Sequence, residues 1–85
     1  MKKEIFIYYK KLIIKGLYFE AHEYLESYWR KFKKNAKEYY FFKIFIQLAA
    51  LFYKIKKQNN LKGAKKIIKN LYKNIYHFTK FFTFL

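Results

Sequence analysis

The sequence has no cysteine and no proline, and only two glycines in 85 residues. Without cysteine there is no disulfide, no thiolate nucleophile and no zinc-finger chemistry. The lack of proline and near-lack of glycine argue against a turn-rich β fold, and against linkers or disordered tails. Acids are scarce as well, five against twenty Lys and Arg, which gives a formal charge of +15. Aspartate and valine are missing, and Arg30 is the single arginine. No long apolar run occurs: the least charged stretch, 39–53, contains Lys43 and Gln47. It is shorter than the roughly 20 apolar residues that cross a bilayer, so no membrane span is expected. The first residues are basic and then apolar, but Lys10 and Lys11 break the run and no small-residue cleavage site follows. That reads as a helix rather than a signal peptide. Absence of cysteine suits a reducing compartment, and the expected location is cytoplasmic.

What is present is lysine and aromatic carbon. Lys, Phe, Ile, Tyr and Asn fill 55 of the 85 positions, and all five have codons written with A and T alone. Coding bias therefore accounts for much of the basicity, including Lys in place of Arg. A nucleic-acid-binding role is the alternative reading of the same charge. The length allows one domain, residues 1–85. A chain of this size buries only about 60–65% of its unfolded surface, so it gains stability from a partner such as a second copy in a homodimer.

Apolar periodicity predicts four helices. The first, about Lys3–Lys15, places Ile5, Tyr8, Tyr9, Leu12 and Ile13 on one stripe and closes at Gly16 in the left-handed manner. The second, about Tyr18–Lys33, carries Tyr18, Ala21, Leu25, Tyr28, Trp29 and Phe32 inward. Its Glu20 and Glu23 suit the positive end of the helix dipole. The third, about Glu38–Lys57, is apolar on nearly every side, as a central helix is, and Ala49 and Ala50 allow a close backbone approach. Gln58-Asn59-Asn60 ends it, and Asn60 caps a fourth helix, about Leu61–Phe78. There Leu61, Ala64, Ile68, Leu71 and Ile75 form the inner stripe, opposite Lys62, Lys66, Lys69 and Lys73. Short connections imply antiparallel neighbours. The Phe-rich end, 78–85, is expected to continue helix four and pack across the end of the bundle, the alternative being an exposed patch.

The densest chemistry lies in Phe19–Trp29, which holds three of the five acids, one of the two histidines and the one tryptophan. Residues four apart stack on one helix face, so His22 and Glu26 point the same way, with Trp29 beside them. The run Gly16–Trp29 resembles the signature of the domain of unknown function 309 family: His, three residues, Glu, two residues, then Trp or Tyr. Ile46–Tyr53 is similar to that family's Ile-Gln-Leu-Ala-Ala stretch, and Asn60–Ala64 to its Gly-Asn-x-x-Gly-Ala turn. The resemblance covers residues 16 to about 64. Ile44 and Lys54 stand where the family's Gly and His are expected, and Asn59 replaces the Gly of the turn. The resemblance implies a small all-helical protein with no established activity and a metal-binding role for the motif.

The residues themselves allow several chemistries. A His and a Glu one turn apart offer a nitrogen and an oxygen to one divalent metal ion. Such a site needs three or four protein ligands; Glu23 is the nearest third, with Glu38 and His77 dependent on the fold. Gln47, polar in an apolar part of helix three, is expected to face helix two and complete the site or satisfy a His–Glu–Gln network under Trp29. Trp29, Gln47 and Tyr53 are the candidate ligand-binding residues. Catalysis by the chain alone is not expected: there is no thiol, Ser27 points away from His22, and there is neither a glycine-rich phosphate loop nor an Asp pair. The reading is an all-α, up-and-down bundle of about four helices. It would act as a binding or interaction module with a metal or small-ligand site on His22, Glu26 and Trp29. The alternatives are a basic nucleic-acid-binding accessory protein and a structural polar network with a role in dimerisation.

Overall fold

The computed structural model describes residues 3–82. Four α-helices, α1 (Lys3–Ile14), α2 (Tyr18–Trp29), α3 (Lys37–Phe52) and α4 (Leu61–Thr79), account for most of them. Two local signals behave as expected. Gly16 sits at φ +77°, its N–H reaching the Ile13 carbonyl while that of Leu17 reaches Leu12, the paired closure that a left-handed residue permits. The Asn60 side chain accepts a 2.8 Å hydrogen bond from the Gly63 N–H and caps α4. A Cβ on Gly63 would stand 2.9 Å from the Asn60 amide nitrogen, so a larger residue there would push the capping side chain aside.

Two ends differ from expectation. α2 stops at Trp29 rather than near Lys33, because Lys31 and Phe32 make tighter i→i−3 bonds to Tyr28 and Trp29 and Asn35 turns the chain at φ 71°. α3 does not run evenly to Lys57: from Tyr53 to Lys57 it widens into a π turn. The Gln58 N–H bonds to the Tyr53 carbonyl, and Asn59 closes it at φ 48°. The C-terminal expectation holds in part. α4 continues into a 3₁₀ turn, Lys80–Phe82, and Phe78 packs on Phe41 with ring centroids 5.3 Å apart. Residues 83–85 lie outside the described residues.

Side-chain pairs give the topology. Tyr18–Phe52 and Trp29–Tyr39 join opposite ends of α2 and α3, so these helices are antiparallel. Tyr40–His77 and Gln47–Asn74 do the same for α3 and α4. α1 runs beside α2 through Tyr8–Tyr24 and reaches α3 through Phe6, whose ring meets Phe41, Phe42 and Phe45 edge-on. The Tyr9 hydroxyl donates to the Phe45 carbonyl at 2.8 Å. The fold is an up-and-down four-helix bundle with α3 central.

The core is Ile5, Tyr9 and Leu12 of α1, Ala21 and Leu25 of α2, and Phe42, Ile46 and Ala49 of α3. Ala21 and Ala49 are wholly buried, as expected of small residues where backbones approach. The predicted stripes overreach at their edges: Tyr8 of α1 and Leu61 and Ile75 of α4 are exposed. No helix among the described residues is long and apolar enough to cross a membrane.

Candidate functional site

Helix α2 gathers its polar residues by spacing alone. His22, Glu23 and Glu26 project from adjacent positions and their ligand atoms lie within 4.8 Å of one another. His22 Nδ1 is 3.4 Å from Glu23 Oε1, and Nε2 is 3.5 Å from Glu26 Oε2. Both distances are within ion-pair range but long for hydrogen bonds, and buried Nδ1 makes none. A neutral imidazole has one N–H and one lone pair. Flanked by two carboxylates, it must turn the lone pair toward one of them, and a cation between them relieves that opposition. Glu26 is fixed from the other side, its Oε1 accepting a charge-assisted hydrogen bond from Arg30 Nη2 one turn on. That leaves Oε2 for the imidazole or an ion.

The cluster opens on a concavity of about 180 Å³ lined by Tyr18, Phe19, His22, Ala50, Tyr53 and Lys54. The rings of Phe19 and His22 are stacked at 6.4 Å, and Phe19 meets Tyr53 at 5.9 Å. Ala50 is small enough to leave this space. Tyr53 enters in ordinary α register, its N–H bonded to the Ala49 carbonyl, and the π turn that follows it ends α3 beside this pocket; such turns recur at functional sites.

The predicted site residues separate into three places. His22, Glu23, Glu26 and Tyr53 share this end of α2 and α3. Trp29 lies at the other end, its ring 5.1 Å from that of Tyr39 and 5.7 Å from Lys43 Nζ. Its buried Nε1 has no hydrogen-bond partner. Gln47 turns away from α2 altogether: its Oε1 accepts from Asn74 Nδ2 at 2.8 Å. The expected His–Glu–Gln network is therefore replaced by a polar pair between α3 and α4, because Asn74 is buried at 7% exposure and needs an acceptor. His77 stacks on Tyr40 and Glu38 sits in the first turn of α3. Neither joins His22 in a metal-ligating group among the described residues.

Sequence reasoning did not place Tyr18, Phe19, Ala50, Lys54 or Asn74 at a binding site or in the polar pair between helices. Tyr18 and Phe19 precede His22 by one turn, and Asn74 stands one turn from Phe78 on an otherwise apolar face, so both signals were present in the spacing. A larger concavity, about 420 Å³, lies between α1 and α3 and is lined by Phe6, Tyr9, Lys10, Ile13, Phe41, Phe45, Leu48 and Phe52. Its one cation is Lys10, and the Tyr9 hydroxyl is already committed to Phe45. Size favours this groove; chemistry favours the smaller pocket beside His22.

Residues 6–67 match the family model described as domain of unknown function (DUF309), a span that takes in α1, α2, α3 and the start of α4. The chain belongs to the DUF309 family. Comparison with curated proteins finds no match, and neither does comparison with solved structures. The DUF309 span includes every residue of the His22 cluster and of the pocket beside it.

Proposed function

We propose that this DUF309 protein is a binding module that holds a divalent metal ion on His22, Glu23 and Glu26. The observation that carries the reading is the His22 imidazole flanked by two carboxylates, Glu23 on its Nδ1 side and Glu26 on its Nε2 side, with the buried Nδ1 making no hydrogen bond. One nitrogen and two oxygens suit a borderline ion such as Mn(II), Fe(II), Ni(II) or Zn(II). Three protein ligands leave positions for water or an exogenous ligand. Arg30 serves to orient Glu26, a role that typically changes metal affinity 10–100-fold. Lys54, at the pocket wall, and the bound ion would together favour a small anionic ligand. No reaction is assigned.

Thermal unfolding of tag-free protein against these ions and Mg(II), with chelator controls, tests this. An ion present at 100 times its Kd stabilises by about 2.7 kcal/mol, a rise in Tm of roughly 10–20 °C for a domain of this size. Glu26→Gln and Glu23→Gln should each remove the rise. No rise with any ion would reduce the cluster to architecture, with Arg30, Glu26 and His22 holding one face of α2.

A further inference from the structure

The acids of this chain stop at Glu38, yet ten lysines follow it. α4 has no acidic residue, and its Lys62, Lys65, Lys69 and Lys73 are all exposed. At 3.6 residues per turn these four fall within an arc of about 100°. Tyr72 and Tyr76, one turn apart, lie in the same arc and are 70% and 61% exposed. An amphipathic helix places lysine outward whatever its purpose. Nothing in that pattern calls for two large aromatic rings among the lysines, since the helix is anchored from its other side, where Ala64 and Asn74 are buried. Coding bias raises the number of tyrosines but prefers no face of a helix. Lys80 Nζ lies 4.7 Å from the Tyr76 ring centroid, a cation–π contact to a ring that stays mostly exposed.

We infer that the outer face of α4 binds single-stranded nucleic acid, the lysines following the phosphates and Tyr72 and Tyr76 stacking on bases. A basic track interleaved with exposed rings is the arrangement that holds unpaired strands without regard to sequence. Base-edge reading in a duplex groove relies on arginine forks, and α4 has none. A lipid surface is a poorer fit, since an interfacial helix buries a continuous apolar face in the bilayer, and the aliphatic residues that α4 exposes, Leu61 and Ile75, are almost four turns apart. The surface is independent of the His22 cluster, which is on α2.

The test is fluorescence anisotropy of the tag-free full chain with a labelled 15-nucleotide oligothymidylate at 50 and 200 mM salt. Competitors are an equal-length duplex, inorganic polyphosphate and phosphatidylserine-containing vesicles. The expected result is preference for the single strand and roughly 5- to 150-fold weaker binding for each of Tyr72→Ala and Tyr76→Ala. Phe at either position should restore binding. Lys69→Gln and Lys73→Gln should each lower the slope of log K against log salt by about 0.7. All four side chains are exposed, and circular dichroism checks that the variants fold. Binding insensitive to both tyrosines would mean a general polyanion surface, and preference for vesicles a membrane surface. Either result, or no binding at 50 mM salt, overturns the inference.

Discussion

Helices α2 and α4 pack on the same central helix and make opposite use of their polar faces. α2 has three glutamates and no lysine or arginine within its span, and α4 has five lysines and no acid. On α2 the charges converge, with two carboxylates flanking one imidazole and Arg30 holding one of them from the next turn. On α4 like charges spread along an arc with two rings between them. Like charges four apart on a helix repel by a few tenths of a kcal/mol per pair, so this face would gain from a counter-anion. Packing is therefore common to both helices, and what separates them is that the charges of α2 meet partners in the chain while the lysines of α4 face solvent.

The most severe way to break the comparison is to remove the bundle beneath both faces. Phe42 is 1% exposed, and Phe42→Ala should cost roughly 3–5 kcal/mol. That is a large share of the total for a domain this small, and both the metal-dependent rise in Tm and oligonucleotide binding should be lost. A sharper test crosses the two sites. Reversing Lys65, Lys69 and Lys73 to Glu should weaken oligonucleotide binding on the order of 100-fold and leave the metal response intact, while Glu26→Gln should do the converse. If either variant changed both responses, the faces would be coupled and the comparison wrong.

Next in size is the Gln47–Asn74 pair, which ties α4 to α3. Asn74→Ala leaves Gln47 without its partner and should lower stability by about 1–3 kcal/mol, read as a drop of roughly 4–20 °C in Tm. The metal-induced increment should survive, because Gln47 lies outside the His22 pocket. The smallest effect is at high pH. Burial holds the Tyr9 hydroxyl protonated above its ordinary range. The unfolded chain then loses this proton first, near pH 10. Stability from Tyr9 is complete below that pH and falls by about 1.4 kcal/mol per pH unit above it, until the folded hydroxyl ionises. Tyr9→Phe should flatten this alkaline slope, at a cost of about 1 kcal/mol at neutral pH for the lost bond to Phe45. An unchanged slope would show that Tyr9 is not the group responsible.

Much of this protein was legible from spacing. Four helices, the closure at Gly16, the Asn60 cap and the adjacency of His22, Glu23 and Glu26 all follow from rules acting within one turn of chain. Where the reading went astray, the deciding contact lay between helices. Gln47 was assigned to α2 because both are polar in apolar surroundings, but an amide on α4 reached it first. Trp29 was grouped with His22 because they share a motif, yet they are seven residues apart, about 10 Å along a helix, and meet different ends of α3.

By itself the sequence determined the four helices, the closures at Gly16 and Asn60 and the clustering of donors on α2, since backbone hydrogen bonding and side-chain adjacency within a helix are local. Only the tertiary structure decided that Tyr53 and Lys54 line a pocket with His22, that Gln47 serves α4, and that Tyr72 and Tyr76 stay in solvent. Those outcomes depend on helix register and on competition among buried groups for partners, which depend on the packed whole rather than on any one segment.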